Sequence, residues 1–257
     1  MHRSAIYLCL SLLLLVASSA FGFPAIDLTA GQTDVTSGVD GTIWSSNITQ
    51  PTGTGIYNPF LRVQNKDSEQ GFNTDYNGNE LDAKTADPHT HAVQWNTLAT
   101  ITIGSTDYYS FQLDANEEQA GSKSLISLDR LQIYTAGEAA IQNMADLQSG
   151  GSLLYDLDGV SDQTIFIETA LKPGSGTDDL TLYIPKSFFA SVSGTDYMYF
   201  YTQFGLSDGV NSGLQSGATF EEWRAVQGPG NEVPEPSTLV LLGSGLLGLM
   251  GVRSRKK

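Results

Sequence analysis

The chain has 257 residues, a formal net charge of −15 and one cysteine, a length for which a single domain is the first expectation. Residues 23–231 hold 8 Lys and Arg against 26 Asp and Glu, a net charge of −18; such a body repels phosphate backbones and anionic headgroups, which excludes nucleic acid as a partner and favours cations. The cysteine, Cys9, lies in the first apolar run, so everything after it lacks disulfides, thiolate nucleophiles and cysteine-held metals.

Met1, His2 and Arg3 form a short basic start, followed by an uncharged apolar run from Ala5 to Ala17. The run is shorter than the roughly 20 residues a spanning helix needs, and it leads into Ala17-Ser18-Ser19-Ala20, small residues of the kind a signal peptidase accepts. Residues 1–22 are therefore expected to be a cleavable signal peptide, cut after Ala20 or Gly22. A buried helix would need a polar face, and the run has none. Ile6-Tyr7-Leu8 before Cys9 does not supply the small residues of a lipoprotein signal.

Residues 23–227 read as the exported body. Apolar and polar residues alternate with period two between clusters of Gly, Asn, Asp, Ser and Thr, which predicts strands. The clearest are Leu98 to Ile103, Tyr108 to Leu113, Leu125 to Tyr134, Thr164 to Thr169, Leu180 to Ile184 and Tyr197 to Phe204; weaker ones surround Ile43-Trp44, Phe60 to Val63 and Phe220 to Ala225. Glu138 to Leu147 and Lys186 to Val192 are predicted as short helices. About nine strands without a βαβ rhythm imply an all-β fold, an antiparallel β-sandwich of jelly-roll type. No repeat of fixed period is visible, and an ice-binding surface, which would call for flat Thr-rich repeats, is not expected.

The body offers several chemistries and singles out none. His89 and His91 in Asp87-Pro88-His89-Thr90-His91 would share one face of a strand, as metal ligands require, but Asp-Pro starts turns and a loop is the plainer reading. Neither histidine has a Gly-x-Ser-x-Gly elbow or a thiol to activate. The adjacent glutamates, Glu117-Glu118 and Glu221-Glu222, would point to opposite faces of a strand, so neither is a ready-made acid and base pair. Tyr197, Tyr199 and Tyr201 share a strand face that suits either a sugar ring or core packing.

Oxygen-rich loops that suit a hard cation occur at Asp75 to Asp82, at Asp114-Ala115-Asn116-Glu117-Glu118 and at Asp156-Leu157-Asp158-Gly159 with Asp162. The first is no EF-hand, because its glycine comes fourth and Ala86 stands where the closing glutamate belongs. Calcium is the one cofactor the sequence suggests. Its expected site is Asp114, Asn116 and Glu117 at a strand end, completed by Asp129 from the neighbouring strand, with Asp and Asn in ordinary turns as the alternative.

The last residues form three blocks. Residues 228–237 are a linker, Gly228-Pro229-Gly230-Asn231-Glu232, ending in Val233-Pro234-Glu235-Pro236-Ser237, which two prolines keep extended. Residues 238–252 are uncharged and rich in Leu, Gly and Val, and read as a transmembrane helix; at about 22 Å they are shorter than the roughly 30 Å hydrocarbon layer, so local thinning and snorkelling side chains must cover the difference. Arg253, Arg255, Lys256 and Lys257 form a basic tail, residues 253–257, that fixes this end in the cytoplasm.

Val233, Pro234, Glu235, Pro236 and Ser237, the short Gly- and Leu-rich stretch and the basic tail together resemble the PEP-CTERM sorting signal. The resemblance implies processing by an exosortase of a Gram-negative bacterium that makes extracellular polysaccharide, after anchoring in the inner membrane. The body is loosely similar to PEP-CTERM proteins of unknown function through Asn58-Pro59-Phe60-Leu61-Arg62-Val63-Gln64, Glu69-Gln70-Gly71-Phe72-Asn73-Thr74-Asp75 and Phe220-Glu221-Glu222-Trp223, a likeness that brings no chemistry. The expected function is a non-enzymatic envelope or matrix protein associated with exopolysaccharide or biofilm. The alternatives are an exported carbohydrate-active enzyme using a carboxylate pair and a calcium-dependent carbohydrate-binding module.

Overall fold

The computed structural model describes residues 25–226 apart from 33, 38–39, 47–57, 79–80, 87, 174–175 and 206–213. The signal peptide, linker, membrane segment and basic tail expected from the sequence lie outside the described residues, among which no helix is long and apolar enough to cross a membrane.

Period-two alternation becomes strands throughout. In chain order these are β1 (Ala25–Asp27), β2 (Val35–Thr36), β3 (Ile43–Ser45), β4 (Leu61–Val63), β5 (Lys66–Asp67), β6 (Glu69–Phe72), β7 (Val93–Gln94) and β8 (Thr100–Ile103). They are followed by β9 (Thr106–Ala115), β10 (Leu125–Ala136), β11 (Ser152–Asp156), β12 (Thr164–Glu168), β13 (Leu180–Pro185), β14 (Tyr197–Phe204), β15 (Ser216–Gly217) and β16 (Glu221–Ala225). One sheet runs β1-β12-β10-β14-β6, with β11 and β7 extending its edges; the other runs β2-β3-β13-β9-β16-β4, with β8 added on β9. A small ladder joins β5 to β15. The pairs are antiparallel except β1 with β12, so the expectation of an all-β, antiparallel fold holds.

The two sheets meet over aromatic side chains that alternation turns inward. Phe200 of β14 stands 4.8 Å, ring to ring, from Trp223 of β16 and 5.0 Å from Phe111 of β9, joining opposite sheets in one core with Leu113, Leu131 and Leu182. In β10 both Leu128 and Leu131 reach this core because the register with β14 shifts between Leu128 and Arg130, a bulge that adds one residue and resets the phase.

The outer face of the first sheet carries a second apolar cluster. Phe72, Tyr134, Tyr199 and Tyr201 lie under Ile141 and Leu147, the latter in the one α-helix among the described residues, α1 (Met144–Gly150). The helix predicted over Glu138 to Leu147 therefore starts later. Side chains take the backbone groups that a helix there would use: Tyr199 Oη donates to the Glu138 carbonyl, the Ile141 N–H donates to Tyr199 Oη, and Thr74 Oγ1 donates to the Ile141 carbonyl at 2.8 Å. Asn143 then caps α1 by accepting the Asp146 N–H at 2.9 Å. The helix predicted over Lys186 to Val192 is a 3₁₀ turn, Lys186–Phe189.

Phe200 is fully buried and touches rings of both sheets. Phe200→Ala should lower stability by about 3–5 kcal/mol, the range for deleting a buried aromatic ring, read as an earlier midpoint in denaturant unfolding of the exported protein.

Candidate functional site

Acidic side chains gather where β4, β6, β9 and β16 come together. In β16, alternation sends Glu221 inward on the face of Trp223 and Glu222 outward, and the register sets Glu222 opposite both Asp114 of β9 and Arg62 of β4. The adjacent glutamates thus face apart, as strand geometry requires. Glu69 at the start of β6 pairs in register with the inward-facing Phe204, so it enters the interior from the opposite sheet. Glu69 and Glu221 are both fully buried.

Outward acids are neutralised by arginine. Arg224 donates from Nε and Nη2 to Asp178 Oδ1 and Oδ2 at 3.0 and 2.5 Å, and Arg62 donates from Nε to Glu222 Oε1 at 2.6 Å while lying over the Phe220 ring. Asp114 Oδ2 accepts the Gly176 N–H at 2.5 Å, and Asp179 Oδ2 accepts the Ala115 N–H at 2.9 Å. Burial nevertheless pushes Asp114 up to about 6 and Asp179 up to about 9, with neighbouring carboxylates adding to both shifts.

The inner acids have fewer partners. Glu117 takes the Gly217 N–H on both oxygens, at 2.8 and 3.0 Å; a Cβ at position 217 would collide with Glu117 Oε2, so glycine is required for this approach. Glu69 Oε2 accepts the Asn65 N–H at 2.8 Å. Glu69 Oε1 and both carboxyl oxygens of Glu221 receive no N–H or hydroxyl donor. Burial raises Glu69 to about 7 and holds Glu221 well above the usual carboxylate range, with each carboxyl facing the other.

Of the four residues expected to bind calcium, Asn116 donates its amide to the Phe220 carbonyl at 3.2 Å, Glu117 faces Gly217, and Asp114 faces Gly176. Asp129 sits at the β10 bulge, accepts the Ser127 hydroxyl at 2.8 Å and lines a cavity of about 460 Å³ with Asp156, Asp158 and Asp162. Among the described residues no group of three or more His, Cys, Asp or Glu side chains is arranged to hold a metal ion, so Asp114, Glu117 and Asp129 do not converge.

The other acidic loops use their oxygens on backbone N–H groups. Asp75 accepts from Ala92, Asp82 from Gln70, Asp156 from Asp158 and Asp158 from Gln163. His91 lies in a turn with its ring against the Pro88 carbonyl. Tyr199 and Tyr201 are buried beneath the α1 region. A cleft of about 730 Å³ is lined by Trp95, Tyr109 and Phe189, but these rings pack on one another and are at most 9% exposed, which leaves little face for a sugar.

The pairing of Glu69 with Glu221 is not among the sites expected from the sequence. Its signal was phase: Glu221 stands two residues from Trp223 in the same strand, which assigns it the core side.

The family model described as the PEP-CTERM protein-sorting motif matches residues 232–256. The chain carries a PEP-CTERM sorting motif. It is accordingly an exported, exosortase-sorted protein, directed to the envelope by way of the membrane. No curated protein and no solved structure matches the chain, so the likeness of the body to other PEP-CTERM proteins has no match behind it. The PEP-CTERM match covers the residues after the sandwich and leaves the acidic site without an assigned role.

The guanidinium of Arg224 holds both oxygens of Asp178, which is fully buried. Arg224→Ala should cost about 3–5 kcal/mol, because it removes the two-donor cationic partner of a buried carboxylate. Lys123→Ala, which breaks the exposed pair with Glu118, should leave the unfolding midpoint unchanged. Parallel denaturation curves compare the two.

Proposed function

We propose that this protein is a non-enzymatic component of the cell envelope or extracellular matrix, held among exopolysaccharide or in a biofilm. The PEP-CTERM motif at residues 232–256 supports the reading, since an exosortase address directs the body to the envelope. We read the strand orders β4-β16-β9-β13 and β6-β14-β10-β12 as the double Greek key of a jelly-roll. The proposed organisation is signal peptide 1–22, sandwich 23–227, linker 228–237, transmembrane helix 238–252 and cytoplasmic tail 253–257. Two observations favour a structural body over an enzyme: the inner acids are closed off from solvent and the outer ones are tied to arginine or to backbone N–H groups.

Replacing Pro234, Glu235 and Pro236 together with alanine should leave export intact but keep the tail in the membrane, seen as a larger intact mass and loss of the released form. Release as efficient as that of the natural protein would refute the role of the motif. Incubated with the host's own polysaccharide, the exported protein should be retained on the polymer without freeing oligosaccharides. Oligosaccharide release would establish an enzyme instead.

A further inference from the structure

Between the two sheets, a pair of acids meets with no counter-ion among the described residues. Glu69 comes from β6 of the first sheet and Glu221 from β16 of the second, both with no solvent exposure. Glu69 Oε2 accepts the N–H of Asn65, two residues beyond Val63, which Glu221 faces across the β4–β16 ladder, so both carboxyls enter one buried space. Among the described residues neither oxygen of Glu221 meets an N–H or hydroxyl donor, and only Oε2 of Glu69 does.

Among the described residues, the charges that act most on the pair are themselves acidic: Glu117 from the loop after β9 and, from the outer face, Asp114 of β9. The Ser216 hydroxyl of β15 is the neutral neighbour. The arginines of the flanking strand positions, Arg62 and Arg224, turn to the outer face and bind Glu222 and Asp178, and Lys66 of β5 is exposed. Two ionised carboxylates in this interior would repel one another after losing their hydration, an arrangement that proteins avoid by neutralising one of them. Since no three acid or histidine side chains among the described residues are arranged to hold a metal ion, a proton is the neutraliser that the surroundings favour.

We infer that Glu69 and Glu221 share one proton at neutral pH, forming a carboxylic acid to carboxylate hydrogen bond that ties the first sheet to the second. Burial raises the affinity of both groups for protons, in agreement with this arrangement. The native state then holds a proton that the unfolded chain releases above the ordinary glutamate range. Stability is therefore greatest below that range and falls as pH rises, through about 7 for Glu69 and further for Glu221.

The test uses the exported protein recovered from the cells that make it. At neutral pH its infrared spectrum should contain the C=O stretch of an un-ionised, buried carboxylic acid. Glu221→Gln and Glu69→Gln, which keep shape and let an amide donate to the remaining carboxylate, should each remove the pair's share of that band and leave the share that the buried Asp179 adds. Each should also reduce the proton uptake derived from the pH dependence of stability, between about pH 5 and about pH 8, by about one proton. Glu118→Gln, at an exposed position, should change neither. Absence of the band from the natural protein, a result that needs no variant to fold, would overturn the inference, as would a band and slope unchanged in both glutamine variants. Calcium is the competing neutraliser: if it discharges the band and raises the melting temperature of the natural protein but not of Glu221→Gln, the pair is a cation site and the shared proton is refuted.

Discussion

Phe200 of β14 packed against Trp223 of β16 is the contact on which the arrangement of the sandwich rests. The body contains no cysteine, so no covalent bridge joins the sheets and their separation is set by the side chains between them. Once Trp223 is turned inward, period two decides the rest of β16: Glu221 must also face inward, and Glu222 and Arg224 must face outward. Phe200 fixes β14 in the same way, sending Tyr199 and Tyr201 to the opposite face, where they require the cover that α1 and the segment before it supply.

That one phase choice gives the acids of neighbouring positions different chemistry. Glu222 and Asp178 lie on the outer face, where a planar guanidinium reaches them and can approach a carboxylate with two parallel donors. Glu221 has been carried between the sheets, where an arginine would need room that the aromatic seam already fills. Its partner is Glu69 from the other sheet, and the two groups are neutralised by what fits the space. The same acid content that gives the body its charge of −18 thus divides into acids held by arginine or by backbone N–H groups and a pair between the sheets whose carboxyls face each other.

How much of this was legible in the sequence follows from what alternation reports. It is a local signal, so it revealed the long strands, Tyr108 to Leu113 within β9 and Leu125 to Tyr134 within β10, and it separated Glu221 from Glu222. Short strands such as β5 and β15, of two residues each, carry too little period to be seen. Glu138 to Asn143 failed as a helix because Thr74 and Tyr199, distant in sequence, capture its backbone groups. The placing of Asp129 was hidden for a comparable reason: it occupies a bulge, and that bulge is set by the pairing of β10 with β14, not by the residues around it. The sorting motif was readable because its signal is the order of the residues themselves, Pro-Glu-Pro, an uncharged apolar stretch and a basic tail.

The strand order also couples folding to export. β16 lies inside its sheet, between β9 and β4, yet it is the last strand among the described residues. Arg62 and Glu222, which pair across the β4 and β16 ladder, are 160 residues apart, so β4 must wait for the end of the body before its partner strand exists. Contacts of such separation form late, since the intervening chain must first be brought together. Six residues separate Ala225 from the first residue matched by the sorting motif, a reach of at most about 25 Å over seven residue steps. The aromatic seam and the facing acids can therefore close only when the chain has been exported nearly to its sorting signal. While the tail is uncut, the finished sandwich stays within that distance of the motif.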